Sequence, residues 1–297
     1  MSTEKRLTEV FDNATEIPFD DSDKFILFSD CHRGDNSWAD EFTHNHNLFL
    51  YALQRYYSDG FTYIEVGDGD ELWENARFED IRQAHSDIFR QMKKFYDDNR
   101  LYLIWGNHDI ERRNEKIVGK TLHRCYDRRA KKYESLFEGI KLYEGLILRQ
   151  SRTNKKIFLV HGHQGDLFND RLWGLDLWRV NWNFHRHLWK YLQLFGVRNP
   201  ASPAKYFKRA KKIDEKLKEW AENNKNKTQM LIAGHTHSYF LVDPPYFNIG
   251  SCVYPRCITG IEIKDGQIRL IEWRVKVEEK HGTLYADNDL ISKSFPV

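Results

Sequence analysis

Cysteine is scarce in this sequence: Cys31, Cys125, Cys252 and Cys257 are scattered over 297 residues, and no CxxC pair occurs. That usage excludes a disulfide-stapled scaffold and suits a chain kept reduced, so a cytoplasmic location is expected. There is no run of about 18 apolar residues, so no membrane-spanning helix is expected. The first residues, MSTEKRLTEVFDNATEIPFDD, lack the apolar segment of a secretory signal. Residues 1–23 read instead as a polar arm. An excess of one charge is also missing: a net +2 names no partner. Internal repeats and low-complexity segments are absent.

What is present is a core and histidine. The chain is 40% hydrophobic and 14% aromatic, enough for one large core. Of its 13 histidines, six (His32, His108, His161, His163, His235 and His237) fall in four short clusters, each just after an apolar run.

Those apolar runs read as buried strands. Residues 24–29 end at Asp30-Cys31-His32, and residues 61–66 end at Gly67-Asp68-Gly69-Asp70-Glu71. Residues 101–105 end at Gly106-Asn107-His108-Asp109. Residues 156–160 end at His161-Gly162-His163, and residues 229–233 at Gly234-His235-Thr236-His237. Further strands are expected at 140–148, 247–249, 257–263 and 268–275, with Asp265-Gly266 as a hairpin turn. Residues 41–58 and 77–98 have helical apolar spacing, and the charged stretch 115–138 is expected to be helical. The tail from residue 278 is polar. Strands alternating with helices predict an α/β fold, and ligand sites in such sheets gather at the carboxyl ends of the strands, where all five polar clusters lie.

Asp and His one residue apart after a strand can point two side chains at one ion. A later Asp can bridge two ions, and Asn with His can complete a second site. Imidazole, carboxamide and carboxylate ligands without thiolate favour Mn, Fe or Zn over Ca. Two cations about 3.5–4 Å apart can support in-line displacement at phosphorus.

The five blocks, in this order, resemble the signature blocks of calcineurin-like metallophosphoesterases, and the resemblance spans residues 24–250. It implies a four-layer α/β/β/α sandwich of the metallophosphoesterase type. It also implies a site with two divalent metal ions, Mn first and Fe or Zn as alternatives. Asp30, His32 and His237 would hold the first metal, Asp68 would bridge both, and Asn107, His161 and His235 would hold the second. His108 would assist the leaving oxygen as the catalytic histidine, and Asp109 would orient it. Glu71 stands where the family often has Asp, and it would be a partner behind the ligands. Asp70 is an acid without an assigned role. His163 reads as a group behind the ligands or in contact with substrate. Cys31 is expected to face the core. His44, His46, His85, His123, His185, His187 and His281 read as solvated or structural.

Residues 165–228 interrupt the rhythm of strand and cluster. They hold fourteen Lys and Arg against seven Asp and Glu, and five of the nine tryptophans: Trp173, Trp178, Trp182, Trp189 and Trp220. They read as a helical cap inserted into a single domain spanning residues 1–297. Trp178, Trp182, His185, Trp189 and Leu192 share one helical face, either packed on the core or exposed as an apolar or lipid-facing groove. Glu71-Leu72-Trp73-Glu74 and the insertion are also similar to UDP-2,3-diacylglucosamine pyrophosphohydrolases, although His108 stands where those enzymes carry Arg.

The expected reaction is hydrolysis of a phosphate ester or pyrophosphate by metal-bound hydroxide, on a phosphorylated small-molecule or lipid-linked substrate. Two alternatives remain open. One is a metal-dependent nuclease or phosphodiesterase that uses the cap's positive charge on nucleic acid. The other is a catalytically silent metal-dependent module that contacts membranes peripherally through the cap.

Overall fold

Phe25–Phe28 is apolar at every position because both faces of this strand are covered. The computed structural model describes residues 2–127, 131–166, 206–238, 242–278, 283–290 and 295–296. Its strands are β1 (Thr15–Phe19), β2 (Phe25–Phe28), β3 (Thr62–Val66), β4 (Leu101–Ile104), β5 (Arg124–Asp127), β6 (Lys132–Ser135), β7 (Leu142–Tyr143), β8 (Gly145–Gln150), β9 (Lys156–Val160), β10 (Met230–Ala233), β11 (Val242–Asp243), β12 (Tyr246–Asn248), β13 (Cys257–Lys264), β14 (Gln267–Glu278), β15 (Thr283–Leu290) and β16 (Phe295–Pro296). Its helices are α1 (Thr3–Asn13), α2 (His46–Ser58), α3 (Phe78–Ala84), α4 (Ser86–Asp97), α5 (Glu115–Thr121) and α6 (Phe207–Asn223).

The first sheet runs β1-β8-β9-β10-β12-β11 and the second β15-β14-β13-β2-β3-β4-β7, with β16 on β14. Strand alternation sorts side chains between three apolar clusters. Phe25 and Leu27 meet Ile157, Leu159 and Ile232 of the other sheet. Their neighbours Ile26 and Phe28 pack against Phe49 of α2, Ile81 of α3 and Phe95 of α4. On the first sheet, Leu146 and Leu148 join the cluster between the sheets. Ile147 packs outward with Leu7 of α1 and Leu217 of α6. The chain is thus a mixed α/β fold, with one apolar cluster between two sheets and a helix-bearing cluster on the outer face of each. Burying one such large aliphatic or aromatic side chain contributes about 1.5–3 kcal/mol.

Several expectations need correction. The polar arm is in fact α1 and β1. Leu7, Val10 and Phe11 form a short apolar stripe on α1, and Ser2 caps it by accepting from Lys5 N at 3.3 Å. The helix expected over 77–98 breaks at His85, whose ring is buried. His85 Nε2 lies 2.9 Å from Asp40 Oδ2, and its Nδ1 lies 2.8 Å from His46 Nδ1. His46 Nε2 reaches Asp87 Oδ2 at 2.9 Å, so His46 and His85 are structural. Among the described residues of 115–138 only α5 is helical, because the chain turns after Leu122 into the hairpin β5-β6. There the Tyr126 and Tyr133 rings meet edge to face, with centroids 5.2 Å apart. The expected strand 140–148 is two strands in different sheets, and the polar tail supplies β15 and β16.

Of the segment 165–228, residues 167–205 lie outside the described residues, and with them Trp173, Trp178, Trp182 and Trp189. Its last part is α6, which packs on the first sheet through Ile213, Leu217, Trp220 and Ala221. Trp220 is therefore a core residue; it donates from Nε1 to Thr8 Oγ1 at 3.0 Å. Among the described residues, no helix is long and apolar enough to cross a membrane.

Candidate metal centre

The parallel pairing of β2 with β3 continues beyond the strands into their loops. Asp30 N donates to Gly67 O at 3.1 Å, His32 N to Asp68 O at 2.9 Å, and Arg33 N to Gly69 O at 3.1 Å. The loops after β2 and β3 are thereby locked edge to edge. The loop after β4 joins them when His108 N donates to Asp68 Oδ1 at 2.8 Å. From the other sheet, His235 N donates to Asp30 Oδ2 at 2.9 Å. Five chain-distant clusters meet at one end of the two sheets.

The backbone needed for this is strained. Asp30, His32, Asp68, His235 and His237 all have left-handed φ, between 48° and 68°. Such a conformation costs a non-glycine residue about 1–2 kcal/mol, and it is retained where the surroundings over-determine it. Close approach explains two of the glycines. A Cβ on Gly67 (φ 80°) would overlap the His161 ring, and one on Gly106 would overlap the Asp68 carboxylate.

Among the described residues, three groups of side chains have the spacing to hold a cation, and two are made of expected ligands alone: Asp30, His32 and His237, and Asp68, His161 and His235; the third is His32, Glu71 and His108. In the first, His237 Nε2 lies 3.0 Å from Asp30 Oδ1 and 3.3 Å from His32 Nε2. In the second, His161 Nε2 lies 3.1 Å from Asp68 Oδ2. That same Asp68 oxygen is 3.8 Å from His32 Nε2, so it faces both groups. His161 Nε2, His235 Nε2 and Asn107 Oδ1 are buried and make no hydrogen bond. A buried polar atom without a hydrogen bond costs about 1–3 kcal/mol, and two such imidazole nitrogens beside one carboxylate call for a shared ligand. The donors are imidazole, carboxylate and carboxamide, which suits a divalent transition ion. His161 Nδ1 bonds Val66 O at 3.0 Å, leaving Nε2 turned toward Asp68.

Electrostatics agree with cation binding. Burial pushes Asp30 upward, yet the His237 and His161 imidazoles hold it well below the carboxylate range. Burial opposes charge on Asp68 as well, but His161 and His108 bring it far down. His161 is pushed up to about 9, because Asp68 and Asp30 outweigh its burial. His163 goes the other way, lowered by burial and by the neighbouring His161 and His235.

Six of the expected ligand residues, Asp30, His32, His237, Asp68, His161 and His235, come together here, and His108 stands beside them, its ring 4.6 Å from that of His32. Asp109 differs from expectation. The partner of His108 Nδ1 is Glu71, at 2.7 Å, and Glu71 also meets His32 Nδ1 at 2.8 Å. Asp109 heads a short 3-10 turn (Ile110–Arg113), and its carboxylate folds back to accept from Gly106 N at 2.6 Å. Burial pushes that carboxyl up to about 6 despite nearby Arg112.

Asp70 gains a role through two arginines that sequence reasoning passed over. Arg33 is fully buried, forks onto Glu65 at 2.6 and 2.8 Å, and donates from Nε to Asp70 at 2.7 Å. Arg112 bonds the other Asp70 oxygen and lies 3.5 Å from Asp109. This ionic chain ties together the loops after β2, β3 and β4. No sequence signal separates these arginines from solvated ones. Cys31 is buried in the apolar cluster beneath, as expected. His163 stands 5.3 Å from the Trp105 ring and 5.6 Å from the His161 ring, with neither nitrogen hydrogen-bonded.

Comparison with known proteins places this geometry in a family. Among solved structures, the chain is similar to a predicted phosphoesterase from Streptococcus pneumoniae TIGR4 (14% identity, 90% of this chain and 97% of that one, TM-score 0.34). It is also similar to Vacuolar Protein Sorting 29 from Cryptosporidium parvum (13% identity, 92% and 100%, TM-score 0.40) and to Vps29 from Chaetomium thermophilum (11% identity, 93% and 98%, TM-score 0.40). No curated protein matches. The model of the calcineurin-like phosphoesterase family matches residues 23–239, well over half of the sequence and all five clusters. The chain belongs to the calcineurin-like phosphoesterase family.

Proposed function

We propose that this chain is a binuclear metal-dependent hydrolase of phosphate esters or pyrophosphates, with Asp30, His32 and His237 at one cation and Asn107, His161 and His235 at the other. Asp68 stands between them. The observation that carries this reading is the set of buried nitrogen and oxygen atoms without hydrogen bonds around the Asp68 carboxylate. Two divalent cations, with Mn the first choice, would neutralise the phosphoryl oxygens and make water a nucleophile near neutral pH.

The protein's own share falls to His108 and Glu71. Burial disfavours charge on His108, but Glu71 and Asp68 raise its pKa above the ordinary value, so near neutrality it can hold a proton. From Nε2 it can give that proton to the leaving oxygen while Nδ1 stays bonded to Glu71. Glu71 remains ionised, lowered to about 2 because His108 and His32 outweigh its burial. Arg33, Asp70 and Arg112 hold the three loops in register. The substrate class, a phosphorylated small molecule or lipid-linked phosphate, rests on the basic, tryptophan-rich segment 165–228.

The test is a metal count and a substrate panel on the full chain. Two Mn per chain and hydrolysis of p-nitrophenyl phosphate, its bis ester or a nucleotide sugar are expected, with activity lost in chelator and restored by Mn. Fewer than two bound ions, or no turnover on any panel member, refutes the reading. Turnover confined to single-stranded DNA would move the assignment to a nuclease.

A further inference from the structure

The loop Gly234-His235-Thr236-His237 carries one imidazole for each cation group, and its backbone is left-handed at both histidines, with φ of 68° and 49°. Two such non-glycine residues in four require firm anchors. Within the sheets the anchors are hydrogen bonds from Gly234 N to His161 O at 2.9 Å and from Asn248 Nδ2 to Gly234 O at 3.0 Å. Asn248 Nδ2 also reaches Thr236 Oγ1 at 2.9 Å, and Tyr254 OH donates to His237 O at 2.6 Å. The stretch is held as well from α6, an element that contributes no candidate ligand.

We propose that Asp214, on α6, is a positioning residue for both imidazoles, and that it sets the cation affinity of the site by clamping the hydroxyls on either side of His237. Thr236 Oγ1 donates to Asp214 Oδ1 at 2.8 Å and Ser238 Oγ to Oδ2 at 2.5 Å, so each carboxylate oxygen takes one hydroxyl of this loop. Tyr246 OH on β12 donates to Oδ1 at 2.7 Å, which fixes the carboxylate against the first sheet. Asp214 is itself buried, and its hydrogen-bond partners here are neutral donors. A buried carboxylate satisfied only in this way is expensive to keep unless it holds something in place. The same helix reaches the site a second time. Arg209 Nη2 donates to Asp166 Oδ2 at 2.6 Å, and that oxygen lies 3.5 Å from His235 Nε2. The loop is thus reached from α6, whose buried side runs on into the core: Leu217, one turn beyond Asp214, is fully buried among Phe158, Trp220 and Leu231.

The inference rests on the proposed two-cation reading, and a spectroscopic titration separates the two. Co(II) is titrated into the metal-free full chain while visible absorption is recorded, together with thermal unfolding. Asp214→Ala should weaken Co(II) binding by about tenfold or more, on the scale set by partners behind metal ligands, and should alter the ligand-field bands. Thr236→Val should do the same to a smaller degree, and Asp214→Asn should recover much of the loss by offering one acceptor oxygen. Leu217→Ala is the control. It should lower stability at least as much as Asp214→Ala while leaving Co(II) affinity and spectrum as in wild type. If Asp214→Ala and Thr236→Val bind Co(II) as wild type does, or if Leu217→Ala weakens it equally, the proposal fails. A wild-type chain that binds no Co(II) refutes the proposed function instead.

Discussion

Among the described residues, two histidine–carboxylate clusters are built on opposite principles. In one, Asp40, His85, His46 and Asp87 form a closed chain in which every imidazole nitrogen has a partner within 2.9 Å. In the other, at the strand ends, His161 and His235 leave Nε2 without a hydrogen bond, as Asn107 leaves Oδ1. The first joins the loop 34–40 to α2 and to the break between α3 and α4. None of its four residues has a left-handed backbone. The second sits on loops where five ligand positions are left-handed. Saturation marks a structural cluster; convergent, unsatisfied atoms on strained backbone mark a binding site.

The largest effect expected from breaking this contrast comes at Asp68. Asp68→Asn removes the oxygen that faces both cation groups. Mn stoichiometry should fall below two per chain and hydrolysis should drop to background, measured by metal analysis and a p-nitrophenyl phosphate assay. Two bound Mn with normal turnover would show that Asp68 does not bridge. His108→Ala comes next: both Mn should remain, while turnover falls by about 10²–10⁴-fold. Glu71→Gln should fall between wild type and His108→Ala, because it loosens the His108 ring without removing it. A pH–rate profile checks this. The limb assigned to His108 should move to lower pH in Glu71→Gln, since the carboxylate that raises its pKa is gone.

The sequence made the first of these legible more readily than the second. Asp30, His32, Asp68, Asn107, His161, His235 and His237 each lie one to four residues beyond a short apolar run, and a buried strand fixes where the residues just after it emerge. That rule needs only hydrophobic patterning and residue type. Glu71 was visible as a partner behind the ligands, but its bond to His108 was not. Whether Asp109 or Glu71 meets that ring depends on which way side chains leave two loops that only tertiary structure brings together. Arg33 and Arg112 were invisible for a different reason. Charged residues are overwhelmingly solvated, so burial with Asp70 has no local signature. The helix α1 was missed because Leu7, Val10 and Phe11 make too short a stripe among charges, although their i, i+3, i+4 spacing was there to read. Asp214 lay hidden in a lysine-rich run.

The saturated cluster should answer to mutation in stability alone. His85→Ala removes the partner of Asp40, whose side chain is wholly buried, but backbone donors at Asn36 (2.9 Å) and Phe42 (3.1 Å) stay with that carboxylate. A loss of about 1–3 kcal/mol is therefore expected in denaturant unfolding, with Mn stoichiometry and turnover unchanged. The pH dependence sharpens this. Burial pushes Asp40 up, yet its bond to His85 holds it below the ordinary carboxylate value. A depressed folded pKa contributes stability that is complete above the unfolded value of about 3.9 and is lost as pH falls through the folded value. The gap between wild type and His85→Ala should therefore be widest at neutral pH and shrink as pH falls toward and below 4. A gap that widens on acidification would place the stabilisation on some group other than the Asp40 carboxylate. A parallel loss of bound Mn would mean that the two clusters are coupled, and that saturation is the wrong criterion for telling them apart.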